Sequence, residues 1–134
     1  MATYLTRTFG TPTSTKKFTI SVWVKRTTIG SSQALLQYNG DYFYFNDDTL
    51  DFETSIGRIK TNRLFRDPNA WYHLVVTADT TLATADDRFK MYVNGVQETS
   101  FASRTNPSQN ADFSHFNSAN AHKIGQRQAS PAND

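Results

Sequence analysis

Apolar and polar residues alternate with a period of two along three segments: residues 18–26 (FTISVWVKR), 71–79 (WYHLVVTAD) and 88–97 (RFKMYVNGVQ). That period marks a strand buried on one face and solvated on the other. Phe18, Ile20, Val22 and Val24 fall on one side of the first segment, and Thr19, Ser21, Trp23 and Lys25 on the other. Tyr72, Leu74, Val76 and Ala78 repeat the pattern, as do Phe89, Met91 and Val93. Asn94-Gly95 tolerates positive φ at both turn positions and predicts a hairpin. Shorter strands are predicted at residues 4–9, 33–38, 41–46, 49–54, 57–62 and 123–125. Asn39-Gly40 and Asn46-Asp47-Asp48 separate the strands at 33–38, 41–46 and 49–54, which therefore read as a meander. Residues 98–120 are rich in Ser, Asn, Thr and Gln, with a short apolar island at 113–116 expected to pin that stretch to the body. No segment holds a helical period. Many short strands with regular turns predict an all-β fold, an antiparallel β-sandwich. Its core is expected to include Ile20, Val22, Trp71, Leu74, Val76, Phe89, Met91 and Val93, with Trp71 as a plug at a turn.

At 134 residues the chain, 1–134, makes one domain. Ten Phe, six Tyr and two Trp suit pleated sheets. Cysteine is absent, so stability is expected from packing, a metal or oligomerisation rather than from disulfides. A formal charge of +2 is too small to imply a nucleic-acid partner. No apolar run is long enough to cross a bilayer as a helix, which predicts no membrane insertion. The opening residues lack the layout of a signal peptide, so no Sec export is expected from the chain itself. Charge is arranged in blocks. Residues 1–40 carry five cations and no acid, and residues 41–53 carry five acids and no cation. Arg58, Lys60, Arg63 and Arg66 follow; such blocks are able to pair across strands or between subunits, but solvated loop charges worth little each are the favoured reading.

The order of strand, long excursion, W-Y-H strand, acidic loop and K-M-Y-V-N-G-V hairpin resembles the laminin G-like module of the concanavalin A-like lectin/glucanase superfamily, a jelly-roll sandwich. Four segments resemble more closely the modules of tail-fibre and structural proteins of marine bacteriophages: YLTRTFGTP at 4–12, DTTLATADDR at 79–88, NPSQN at 106–110 and HKIG at 122–125. The resemblance implies a non-catalytic module of a virion, made in the host cytoplasm. Its partners would be copies of itself, other virion proteins or a host surface glycan. Laminin G-like modules usually continue past the HKIG strand with a further apolar strand, whereas this sequence ends at Asp134. A fragment, a naturally short variant and a sandwich completed by another chain are the three explanations, with the fragment favoured. Each predicts an unpaired edge beside residues 122–125, able to pair with residues 1–10 of a neighbour.

The superfamily includes glucanases, so carboxylates at alternate strand positions matter. Asp51 and Glu53 share a strand face, but the third place of that pattern is Ser55, and no hydrolase activity is expected. His73, His115 and His122 are not spaced for joint metal ligation, and none has a cysteine to work with. Laminin G-like modules often hold calcium at the rim. The matching hard oxygen donors here are Asp79, Asp86 and Asp87, with Asp47 and Asp48 as further candidates, and Asp87 could instead fix its loop by an Asx-turn. If Val22 and Val24 point inward, then Trp23, Lys25, His73 and Tyr92 point outward. Aromatic rings among polar groups suit a sugar ligand, but packing against a loop or subunit is the favoured reading. Glycan binding and pure assembly both fit this fold, and an open or covered aromatic face separates them.

Overall fold

The computed structural model describes residues 3–126 as two antiparallel sheets packed face to face. The strands are β1 (Leu5–Thr8), β2 (Lys17–Lys25), β3 (Gln33–Tyr38), β4 (Asp41–Asn46), β5 (Thr49–Thr54), β6 (Gly57–Leu64), β7 (Trp71–Asp79), β8 (Phe89–Val93), β9 (Val96–Gln97), β10 (Phe101–Thr105) and β11 (Ala121–Ile124). The larger sheet runs β1-β11-β3-β4-β5-β6-β10, and the smaller runs β2-β7-β8-β9. β3 to β5 form the expected meander, continued by β6 and turned at Asn39-Gly40 by two residues with positive φ, 46° and 92°. Asn94-Gly95 does the same between β8 and β9, with 50° and 81°. Among the described residues a single 3-10 turn, Ala85–Asp87, interrupts the strands.

Period-two alternation delivers the core. Phe43, Phe45, Leu50, Phe52, Ile59 and Phe65 of the larger sheet meet Leu74, Val76, Ala78, Phe89, Met91 and Val93 of the smaller, all essentially buried. Phe52 sits at the junction, 5.2 Å from Phe89 edge-on and 6.0 Å from Phe116 in a stack. Phe113 and Phe116, the apolar island, are buried in this cluster and hold the long polar stretch down. Gly57 lies where no side chain fits, since a Cβ would stand 2.7 Å from the Thr105 carbonyl and 2.8 Å from the Phe89 ring.

A buried arginine locks the strand ends together. Arg26, just past β2, donates from Nε to Gln33 (3.1 Å), from Nη1 to Asp48 Oδ1 (3.1 Å) and the Phe65 carbonyl (2.7 Å), and from Nη2 to the Ser31 (3.2 Å) and Asp47 (2.7 Å) carbonyls. All five guanidinium donors are therefore matched, and the plane lies 4.5 Å from the Phe45 centroid. Asp48 also accepts from the Gly30 amide at 2.7 Å and from Arg66 at 2.8 Å. The blocks of opposite charge thus do pair, Arg66 with Asp48 and Arg58 with Asp51.

Three expectations are corrected. Trp71 is not a plug but 59% exposed, because it is one step out of phase with Tyr72 and Leu74 and shares the outward side with His73. The HKIG segment is not an edge, since β11 lies between β1 and β3, with Arg7 opposite His122 and Leu36 opposite Ile124. Residues 5–8 of the same chain close it. Ile20 and Val22 are only half-buried, because β2 is itself the edge of the smaller sheet. One strand, β10, was not predicted; FASRT is short, polar and joined to β6 through a register shift.

Leu74→Ala should lower the unfolding free energy by about 2–5 kcal/mol, read from urea denaturation. Hydrogen bonds from the Gly30 amide and Arg66 hold the Asp48 carboxyl below the usual carboxylate range. A folded-state value below the unfolded one gives stability that is present at neutral pH and lost as pH falls through the folded value. The urea midpoint should therefore drop below about pH 4, and Asp48→Asn should flatten part of that drop while lowering stability at pH 7. An Arg26→Ala variant as stable as the parent would contradict the role given to the buried guanidinium.

Candidate functional site

The outward face of the smaller sheet carries the aromatic candidates. Register places Trp23 opposite His73, Lys25 opposite Trp71, and Ser21 opposite Val75, which in turn faces Tyr92. Because β2, β7 and β8 alternate in phase, these side chains share one surface while Leu74, Val76 and Met91 face the core. Trp23 is 64% exposed and stacks on His73 at 4.8 Å and 16°. His73 Nε2 hydrogen-bonds Ser21 Oγ at 2.9 Å, and the His73 amide donates to Asn94 Oδ1 at 2.8 Å. The imidazole is thereby fixed as a shelf for one indole, with Trp71 diagonally next to it.

At the other end of the same face is an open trough of about 450 Å³, lined among others by Thr19, Thr77, Leu82, Lys90 and Tyr92. Its rim is the 79–88 loop, which Arg88 holds in place by donating to the Leu82, Ala83 and Pro107 carbonyls at 2.8–2.9 Å. Among the described residues no segment lies over the aromatic end; the surface there is two tryptophans, an imidazole, a lysine and small polar groups. Exposed rings set among hydrogen-bonding side chains offer stacking together with polar anchoring.

The structure does not bring the three aspartates together as a ligand set. Asp79 accepts from the Thr81 amide (3.0 Å) and hydroxyl (2.6 Å) and pairs with Lys17 at 3.3 Å. Burial pushes its carboxyl up, but the Thr81 and Lys17 contacts outweigh that and hold it low. Asp86 pairs with Arg104 at 3.1 Å and accepts from Asn106, and Asp87 pairs with Lys90 at 3.0 Å. The Asx-turn expected at Asp87 is made by Asp79 instead. Asp47 lends its carbonyl, and Asp48 its carboxylate, to Arg26. Among the described residues no group of three or more His, Asp or Glu is placed to hold a metal ion.

The Asp51–Glu53 pair lies on the outer face of the larger sheet, away from the aromatic surface. Asp51 is fully buried and clamped by Nε and Nη2 of Arg58, with Asn46 as a further donor. His115 pairs with Asp41 at 3.1 Å, and His122 is buried in a stack on Phe116 at 5.9 Å. Sequence reasoning missed Trp71 as a member of the exposed face. Its position two residues before His73 on the same strand already carried that signal.

A family profile described as the concanavalin A-like lectin/glucanases superfamily matches residues 2–132. No curated protein and no solved structure matches the chain significantly.

Both tryptophans stand on the solvated face, so acrylamide should quench the whole native emission, and unfolding should shift its maximum little. A large quench-resistant fraction would place one indole in the interior and contradict the exposed platform.

Proposed function

The chain belongs to this superfamily, and from that premise we propose that it is a non-catalytic glycan-binding module whose site is the outer face of the smaller sheet. The observation that carries the reading is the open pair of indoles, Trp23 on its His73 shelf and Trp71 beside it. Flat aromatic faces stack on the C–H faces of sugar rings, and Ser21, Lys25 and Thr77 supply hydrogen-bonding groups around them. The trough by Tyr92 and Lys90 lets an extended oligosaccharide continue along the sheet. The superfamily includes glycosidases; the non-catalytic reading is supported by Asp51, which is buried and clamped by Arg58. The setting we propose is the surface of a bacteriophage particle, such as a tail fibre. The support for it is the resemblance of residues 4–12, 79–88, 106–110 and 122–125 to modules of that kind.

A second reading, an assembly module without a ligand, is favoured by one observation. β2 is a nine-residue strand with a neighbour on one side only among the described residues. The two readings use different parts of β2, its outward side chains and its backbone edge.

Electrophoresis through gels containing laminarin, agar or alginate should retard the protein in at least one. Trp23→Ala and Trp71→Ala should each weaken that binding by about tenfold or more while leaving the thermal midpoint unchanged. No reducing sugar should be released. Activity lost in Asp51→Asn or Glu53→Gln would make the protein a glycosidase, and unchanged retardation of both tryptophan variants would move the site elsewhere.

A further inference from the structure

We propose that the free edge of β2 is a docking site for an extended, acidic-flanked segment of another polypeptide, which adds as a fifth strand to the smaller sheet. The inference is independent of the glycan-binding reading.

The backbone provides the first support. The Thr80 amide donates to the Lys16 carbonyl, and pairing continues with Phe18 opposite Ala78 and Val22 opposite Leu74. Antiparallel alternation then turns the backbone groups of even-numbered residues towards β7 and those of odd-numbered residues away. The outward series begins at Lys17, whose carbonyl accepts from Asn117 Nδ2 at 3.2 Å. Thr19, Ser21, Trp23 and Lys25 continue it with no strand beside them among the described residues. A flat row of free donors and acceptors is a template for one more strand.

The side chains point the same way. Leu5, Ile124, Leu36, Phe43, Phe52 and Ile59 form one cross-strand row on the inner face of the larger sheet. Phe43, Phe52 and Ile59 lie under the smaller sheet and are fully buried. Past the edge of β2 the cover ends, and exposure climbs to 38% at Ile124 and 67% at Leu5. Beside this row, between Phe9, Phe18, Ile20, Leu36 and Phe116, lies an apolar recess of about 220 Å³. A strand laid along β2 would place alternate side chains over Leu5 and Ile124 and into that recess. Residues 127–134 hold no apolar side chain beyond two alanines and a proline.

Charge selects the occupant. The first 40 residues, which build both β1 and β2, carry five cations and no acid. Lys16, Lys17 and Arg26 are matched by carboxylates, but Arg7 and Lys25 have no ion-pair partner among the described residues. A second β2 in antiparallel register centred on Ser21 would set Lys17 against Lys25, which is unfavourable. A strand with glutamate or aspartate at its ends is complementary.

The test is amide hydrogen exchange on the full chain with a nine-residue peptide of alternating valine and threonine between terminal glutamates. The amides of Thr19, Ser21, Trp23 and Lys25 should slow by at least about tenfold on binding, with the even-numbered amides of β2 unchanged. The same peptide with terminal lysines should bind at least about tenfold more weakly. Leu5→Asp, at a position two-thirds exposed, should abolish the protection with the circular-dichroism spectrum retained. Ser21→Pro removes an outward N–H, together with the hydroxyl that bonds His73, and should do the same, while Trp71→Ala should leave it intact. Three results would overturn the proposal: slow exchange of the four amides in the free protein, protection that appears with protein concentration alone, or equal binding of the lysine-flanked peptide.

Discussion

The Arg26 guanidinium is the point on which the geometry of the molecule depends. It is buried with every donor matched, and its acceptors come from the loop after β2, the first residue of β3, the turn between β4 and β5, and the residue after β6. A buried cation is tolerated only when it is paired and fully hydrogen-bonded, so these segments have a single mutual arrangement. Because β2 has one neighbouring strand among the described residues, its position over the larger sheet is not enforced there by pairing on both sides. Arg26 fixes its end, and with it the direction in which Trp23 and Lys25 project.

Local pattern accounts for what was legible in the sequence. The segments 18–26, 71–79 and 88–97 became β2, β7 and the β8–β9 hairpin because alternation and Asn-Gly turns are short-range properties. The same alternation placed Trp23, His73 and Tyr92 outward, and read strictly it would have placed Trp71 there too. What stayed illegible was non-local. Nothing in HKIG says that β1 closes one side of it, nor that the open edge belongs to β2, over 90 residues earlier. β10 escaped notice for a related reason: its identity comes from pairing with β6, not from its own apolar content. The aspartates of the 79–88 loop looked like metal ligands as a string. In space each is matched with a cation from a different element.

The face and the edge of β2 draw on different chemistry. Side chains on the solvated face interact through rings and hydroxyls, while the edge interacts through backbone amides and the apolar row beyond it. The Trp23 side chain belongs to one and its amide to the other. A ligand on the face and a strand on the edge would therefore meet at the same residue without competing for the same atoms.

The pairing of residues 5–8 with residues 121–124 sets the order in which the protein can be built. During synthesis β1 precedes the other described strands, yet its one neighbour among the described residues is made more than 110 residues later. β2 likewise waits for β7. The β3–β6 meander and the consecutive strands β7–β9, joined by local turns, can assemble as they emerge. Loop-closure entropy must be overcome twice before either end is secured, so such a topology folds slowly. Closure of β11 between β1 and β3 is then the step that turns a nascent meander with an exposed flank into a finished sandwich.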